Sequence, residues 1–423
     1  MKKNTKDIIV IGFALFAMFF GAGNLIFPPF LGHLVGDQYI LGIIGFVCTG
    51  VGLPLLAIIA TTKGDGTFET MASKISPKFA IIFATILFIA IGPMLAIPRT
   101  AATTYELTIS PLVPSLSPLI SMIIYFGINL VFVLKSSSII DTIGKYLTPA
   151  LIFILTLIII KGIISPIGYV VPTNATSVLP SSFIEGYQTM DALAALLFAS
   201  IITNALKEKK YLEKDILPMT LKSSGVAIIG LAFIYGGLMF LGAQTSGFEI
   251  PDLSKTSLLL LISNNILGNI GTTIIGIAIG LACLTTSIGL LSAGSSFFEK
   301  VSNGKLPYKI NAVVISLISI VIGSLGVDEI VKISGPILSI LYPVTITLII
   351  TTLADKYITN IKAVRIGVYT SLIFGVLEII PSINLNFIPL GSLGFAWVLP
   401  TLIAMLIGYI VFPLRKQDAS SLV

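Results

Sequence analysis

Residues 19–30 read FFGAGNLIFPPF, and the fold turns on whether this stretch is one helix or two. It lies in a segment apolar enough to cross a bilayer, yet it is full of residues that spoil helices. Gly21 and Gly23 loosen the backbone, Asn24 brings an amide into apolar surroundings, and Pro28-Pro29 withholds two N–H donors. In hydrocarbon every N–H and C=O must be paired, so an unwound turn survives only where it lines a cavity inside the protein. The stretch therefore predicts a discontinuous helix. Its exposed carbonyls suit a cation, and the N-terminus of its second half, around Gly21, Ala22, Gly23 and Asn24, suits a carboxylate. The bland alternative is that the glycines merely permit close helix packing and the prolines end the helix. As a nucleotide fingerprint GAGN is poor, lacking a third glycine and a preceding strand.

The rest of the chain is equally apolar. Of 423 residues 55% are hydrophobic and only 10% charged, with a mean hydropathy of +1.04; a soluble domain carries roughly 25% charged residues. This composition is that of a membrane protein. Cys48, Cys283 and His33 are the whole complement of cysteine and histidine, too few for a disulfide framework or a Cys/His zinc site. His33 would have to serve alone in any Ser–His–Asp or Cys–His arrangement, so no enzyme is expected. The start, MKKNTKDIIVIGFALFAMFFGAG, has the layout of a secretory signal. Apolar segments of similar length recur to the end of the chain, however, and FPPF extends the hydrophobicity past any cleavage point, so a retained first span is expected.

A span needs ~20 mostly apolar residues. By that rule the chain is an all-α polytopic membrane protein with twelve transmembrane helices in a single domain, 1–423. The predicted spans are roughly 8–32, 39–61, 79–100, 117–134, 140–161, 181–206, 221–243, 270–297, 308–326, 333–353, 364–381 and 393–413. With the N-terminus inside, all 25 lysines and arginines except Arg99, Lys161, Lys255 and Lys332 fall on the cytoplasmic side. That is the bias of the positive-inside rule, and it places both termini in the cytoplasm. It also accounts for the net charge of +6 as a topology signal, so no nucleic-acid partner is expected; membrane lipid is. The stretch 244–269 contains TSLLLLISNNILG, an interfacial or re-entrant helix, or a lid over an outer vestibule.

Two further segments carry polar groups where a membrane protein can least tolerate idle ones. ACLTTSIG, residues 282–289, centres three consecutive hydroxyls in the eighth span. Serine and threonine often satisfy themselves on the carbonyl four residues back; alternatively, the Ala282 carbonyl with the Thr285 and Thr286 hydroxyls offers three neutral oxygens to a sodium ion. In EGYQTMDALAALLFASIITN, residues 185–204, Asp191 falls near the centre of the sixth span, where an acid is costly and usually functional. Ala192, Ala194, Ala195 and Ala199 give that helix a small-residue face, open either to a bulky substrate or to a neighbouring helix. Lys145 at the start of the fifth span reads as an interfacial anchor or as a resident substitute for a cation. Glu106 and Glu378 read as solvated near the outer surface, and Arg99 as facing an outer vestibule.

FFGAGNLIFPPFLG, GPMLAIPRTAATTYE, IGKYLTPALI, GYQTMDALAAL and LACLTTSIGLLSAGSSFFEK, in that order, resemble the branched-chain amino acid:cation symporter family, the BrnQ/LivII type of bacterial carrier, over essentially the whole chain. The family belongs to the amino acid–polyamine–organocation superfamily. The resemblance implies a leucine-transporter-type fold, with spans 1–5 (about 8–161) and 6–10 (about 181–353) as inverted repeats, helices 1 and 6 broken, and spans 11–12 (about 364–413) peripheral. It implies symport of leucine, isoleucine or valine into the cell across the bacterial cytoplasmic membrane, with sodium as coupling ion and the proton as the alternative.

GAGNLIFPP is also similar to the first-helix break of sodium-coupled neurotransmitter-type symporters. That similarity puts Asn24 on the motif's asparagine and the Ala17 and Phe20 carbonyls on sodium-ligating positions, with Ala282, Thr285 and Thr286 completing the set. It puts Phe198 on an aromatic that touches the substrate side chain, which is expected to lie against Ala195 and Phe198, with Asp191 helping the carbonyls of the broken sixth helix to hold the ammonium. Leu193 and Ala195 stand where polar residues would be needed for a second sodium site of the same kind.

Overall fold

A computed structural model describes residues 3–64, 66–135, 148–250 and 253–413. The chain is helical throughout, with no strand among the described residues. α1 (Lys3–Phe19) and α2 (Ala22–Val35) are separate helices. Between them Gly21 is extended, at φ −108° and ψ −160°. Contrary to the alternative reading in which Pro28-Pro29 ends the helix, α2 runs through both prolines to Val35. Since proline has no N–H, the carbonyls four residues earlier, those of Asn24 and Leu25, lose their helical partners.

α3 (39–62) contains a π turn at Cys48–Gly52. α4 (Pro77–Leu112) is longer than the predicted third span, which stopped at 100. It contains two π turns, Ala90–Ala96 and Tyr105–Ile109, the second of them beyond the predicted end, and the first lets Gly92-Pro93 sit inside without a complete break. π turns of this kind gather at functional sites. α5 (Pro118–Leu134) and α6 (Thr148–Ile164) follow. The first part of the predicted fifth span, with Lys145, lies outside the described residues.

The second break comes between α7 (Val178–Gln188) and α8 (Asp191–Glu208). These helices meet at an angle of 42°, and Met190 between them is left-handed at φ 65°. α9 (Glu213–Ala243) is continuous. The predicted interfacial segment is a helix, α10 (255–267), joined at Gly268 to α11 (Thr273–Val301). α12 (Tyr308–Gly323), α13 (Val327–Leu353), α14 (Ile361–Glu378) and α15 (Val398–Val411) complete the bundle. Each of the twelve predicted segments overlaps one of these helices or broken pairs.

The breaks sit at the centre of the bundle. Phe16, Phe20, Leu25, Phe27, Phe198 and Tyr235 are fully buried there. Large apolar side chains such as Ile82, Ile123, Phe153, Ile229, Val321 and Ile410 project outward, exposed, as a lipid-facing belt requires. α2 and α9 pack backbone to backbone: a Cβ on Gly242 would lie 1.9 Å from the Pro29 carbonyl oxygen, and one on Gly32 2.0 Å from that of Met239. Small residues allow such an approach in a membrane, where close packing rather than the hydrophobic effect holds helices together. α10 lies over the end of α2, with the Lys255 ammonium 3.9 Å from the Phe30 ring centroid. Glu106, expected in solvent, is instead partly buried. It accepts hydrogen bonds from the Thr256 hydroxyl (2.9 Å) and the Val327 N–H (2.8 Å), tying α4 to α10 and α13.

Candidate functional site

The α1/α2 break frees carbonyls. In an unbroken helix the Gly21 N–H would reach Ala17; here it donates to Phe19 O at 2.8 Å and to Asn24 Oδ1 at 3.2 Å. The carbonyls at the end of α1 turn toward α11 instead. The Thr286 hydroxyl lies 3.2 Å from both Ala17 O and Met18 O. The Thr285 hydroxyl lies 2.9 Å from Ala282 O and 3.4 Å from Ala17 O. Ala17, Ala282, Thr285 and Thr286, far apart in sequence, thus meet in one cluster of neutral oxygens. It is buried, and its donor chemistry suits a hard monovalent cation. No recorded bond joins Phe20 to these threonines; its ring stacks on Phe16 and Tyr235.

A few ångströms further along, the same break meets the second one. Asn24, 1% exposed, and Asp191, 4% exposed, are joined by a bond from Asn24 Nδ2 to Asp191 Oδ2 at 2.5 Å. The Tyr235 hydroxyl contacts both, accepting from Asn24 and donating to Asp191 at 3.3 Å. Asp191 occupies the first position of α8, where the helix dipole favours a negative charge.

Gly21, Ala22, Gly23, Asn24 and Asp191 all line one cavity, together with Thr286, Met18, Ala194 and Leu290. The centre of a water molecule can range over about 20 Å³ inside it, room for about one or two waters. Ala195 and Phe198 are not on its wall: Ala194 lines it instead, and Phe198 packs behind, with its ring centroid 5.9 Å from that of Phe19.

Arg99 was missed as a site residue. The sequence placed it at the end of a span, facing an outer vestibule. It is 2% exposed and lies between the two breaks, donating from Nη1 to Gln188 O at 2.6 Å and from Nη2 to Thr189 O at 3.1 Å. It thereby caps the last carbonyl of α7 and that of Thr189 in the break, and its guanidinium stands 5.4 Å from the Phe27 ring centroid. A Cβ on Gly23 would fall 2.7 Å from Nη2, so the glycine makes room for the arginine. The available signal was a lone cation flanked by Gly92-Pro93 and Pro98, a setting in which a helix can bend and carry a charge inward.

Two interrupted helices that turn their ends toward each other within an all-helical bundle, with oxygens and charges gathered at the breaks, define a leucine-transporter-type membrane transporter. The comparisons agree. A nucleobase-cation-symport-1 family transporter, Mhp1, solved in a closed conformation with bromovinylhydantoin bound, superposes with a TM-score of 0.64 at 12% identity, covering 97% of this chain and 95% of that one. The family model for "Branched-chain amino acid transport protein" matches residues 4–415, and the chain belongs to that family. The branched-chain amino acid permease BraB of Bacillus subtilis (strain 168) is 38% identical over 96% of this chain and 95% of its own. The permease BrnQ of the same strain is 36% identical over 99% of both. These relatives are transporters, not enzymes, and the chain is a multi-pass membrane protein.

Proposed function

We propose that this protein imports leucine, isoleucine and valine across the bacterial cytoplasmic membrane by alternating access, coupled to sodium. The observation that carries the reading is the meeting of the Thr285 and Thr286 hydroxyls with carbonyls freed by the α1/α2 break, beside a cavity that also holds Asp191 and Asn24. A cation held by Ala17, Ala282, Thr285 and Thr286 would tie α1 to α11 and so link ion entry to the shape of the cavity. Asp191 supplies a negative group for the substrate ammonium. Met18, Ala194 and Leu290 supply apolar wall for the side chain.

The cavity is too small for an amino acid, so binding must spread these walls; Met18, an unbranched thioether, repacks readily. Selectivity among the three substrates would be shallow, since one methylene is worth only ~1–3 kcal/mol in an apolar pocket. A charged side chain would be refused because it would be buried unpaired. One cation entering gains about 2.3 kcal/mol per 100 mV, enough for about a fiftyfold gradient of a neutral solute. The reading includes twelve crossings, with both termini cytoplasmic and the two five-span repeats inverted.

Uptake of radiolabelled leucine into proteoliposomes tests the proposal. Uptake should accelerate with an inward sodium gradient. Acceleration by a proton gradient alone would replace sodium with the proton, and indifference to both gradients would reject symport.

A further inference from the structure

The cavity holds one buried base and one buried acid that do not neutralise each other directly. Arg99 and Asp191 both line it, yet no ion pair joins them among the described residues. Burying a charge without a direct counter-charge is expensive, so the arrangement invites a guest that completes it. Arg99 has capacity to spare. A guanidinium has five N–H donors, and the recorded bonds are one from Nη1 and one from Nη2, each to a carbonyl. Its Nε is buried with no partner. The Nε–Nη edge of an arginine is the fork that takes a carboxylate in two parallel hydrogen bonds. The N–H groups at the α1/α2 break are partly committed, that of Gly21 being taken by Phe19 and Asn24.

We infer that Arg99 and Asp191 together form a clamp for a zwitterion, with Arg99 receiving the α-carboxylate and Asp191 the α-ammonium. This rests on the amino-acid transport reading above and adds the residue that would distinguish an amino acid from an amine. Arg99 is held for the task from both sides. The carbonyls of Gln188 and Thr189 fix its plane, and Gly23 gives it space. A zwitterion leaves the charge of the cavity unchanged, whereas an amine lacking the carboxylate adds one uncompensated positive charge beside Arg99. The clamp therefore selects for the free carboxylate as well as the ammonium, and it does so independently of the side chain.

The test uses the purified full chain in detergent with saturating sodium, and reads ligand-dependent thermal stabilisation by leucine and by 3-methylbutylamine, which is leucine without its carboxylate. The parent should respond to leucine and not to the amine. Arg99→Lys keeps the charge but loses the fork, and should need about tenfold or more leucine for the same shift. Arg99→Gln should lose the leucine response and gain one to the amine, because Asp191 would then face the cavity alone.

A leucine response in either variant at the parent's concentration overturns the clamp while leaving the transport reading intact. So does a folded Arg99→Gln that responds to neither ligand, since that is the mark of a purely structural arginine. If Arg99→Gln does not fold, Arg99→Lys decides. If the parent responds to another α-amino acid but not to leucine, the branched-chain reading fails and the clamp is judged with that amino acid. A parent that responds to none of the twenty overturns both.

Discussion

The two helix breaks are built from different materials. The first, between α1 and α2, uses glycine: Gly21 is extended, and the carbonyls it frees meet only neutral hydroxyls, those of Thr285 and Thr286. The second, between α7 and α8, has no glycine at the turn. Met190 takes a left-handed conformation there, which costs an ordinary residue roughly 1–2 kcal/mol, and the groups around it are charged, Asp191 at the start of α8 and Arg99 on the carbonyls of Gln188 and Thr189. One break has the chemistry for an ion that sheds its water among dipoles. The other has the chemistry for a ligand that carries its own charges. Backbone strain retained at such a place is usual for a working site.

Substitutions can break this division of labour, and the largest effect is expected at Asp191. Asp191→Asn removes one member of a buried, hydrogen-bonded charge set, a loss of about 2 kcal/mol or more, so leucine affinity measured by uptake should fall at least about thirtyfold. An unchanged affinity would remove Asp191 from the substrate site.

Gly21 and Gly23 sharpen the comparison because they lie two residues apart and abut opposite halves. A Cβ at Gly23 meets Arg99 Nη2 at 2.7 Å and the Phe27 ring at 3.0 Å, whereas one at Gly21 meets Thr286 at 3.2 Å. Gly23→Ala should therefore weaken leucine binding about tenfold, the scale of a disturbed charge-assisted hydrogen bond, and leave the sodium dependence alone. Gly21→Ala should do the reverse, by a smaller factor. Equal effects of both substitutions on both ligands would mean that the two halves are one site. Thr286→Ala deletes the hydroxyl shared by Ala17 and Met18; the sodium concentration for half-maximal uptake should rise about fivefold, within the usual worth of one hydrogen bond.

The smallest effect belongs to a contact remote from both breaks. Lys63 and Asp355 pair at 2.5 Å and are about one-third exposed. Burial alone would raise the Asp355 carboxyl, but the hydrogen bond and charge of Lys63, with Lys74 beyond it, hold it below the ordinary carboxylate value. Its contribution to stability is therefore present above the unfolded-state value of ~3.9 and lost as the pH falls through the depressed folded-state value. Asp355→Asn should cost under about 1 kcal/mol at neutral pH, and thermal unfolding should show the difference from the parent fading in acid. Transport should not change.

The first break was legible because its causes are local: glycine, asparagine and proline act on the backbone wherever they stand. The helical segments were legible because hydropathy sets them. The second break was expected only from the family resemblance, since nothing in the composition of Thr189-Met190 announces a left-handed turn; packing imposes it. Arg99 was hidden for a related reason. Thr100, Thr103, Thr104 and Glu106 lower the hydropathy after Pro98, so the span seemed to end at the arginine. A π turn at Tyr105–Ile109 carries α4 on to Leu112, and the partners that take up Glu106, Thr256 and Val327, come from elements more than a hundred residues away. Ala194 rather than Ala195 lines the cavity because the rotation of α8 is set by its packing, which a run of alanines does not specify.

The glycine contacts between α2 and α9 constrain how such a molecule can move. With Pro29 against Gly242 and Met239 against Gly32, the two backbones have no side-chain cushion along which one could slide past the other, so they act mechanically as a welded beam. Spin labels on the C-terminal ends of α2 and α9 should keep one fixed separation with and without leucine, while the distance from either label to α11, which meets α1 through threonine side chains at the break, should shift.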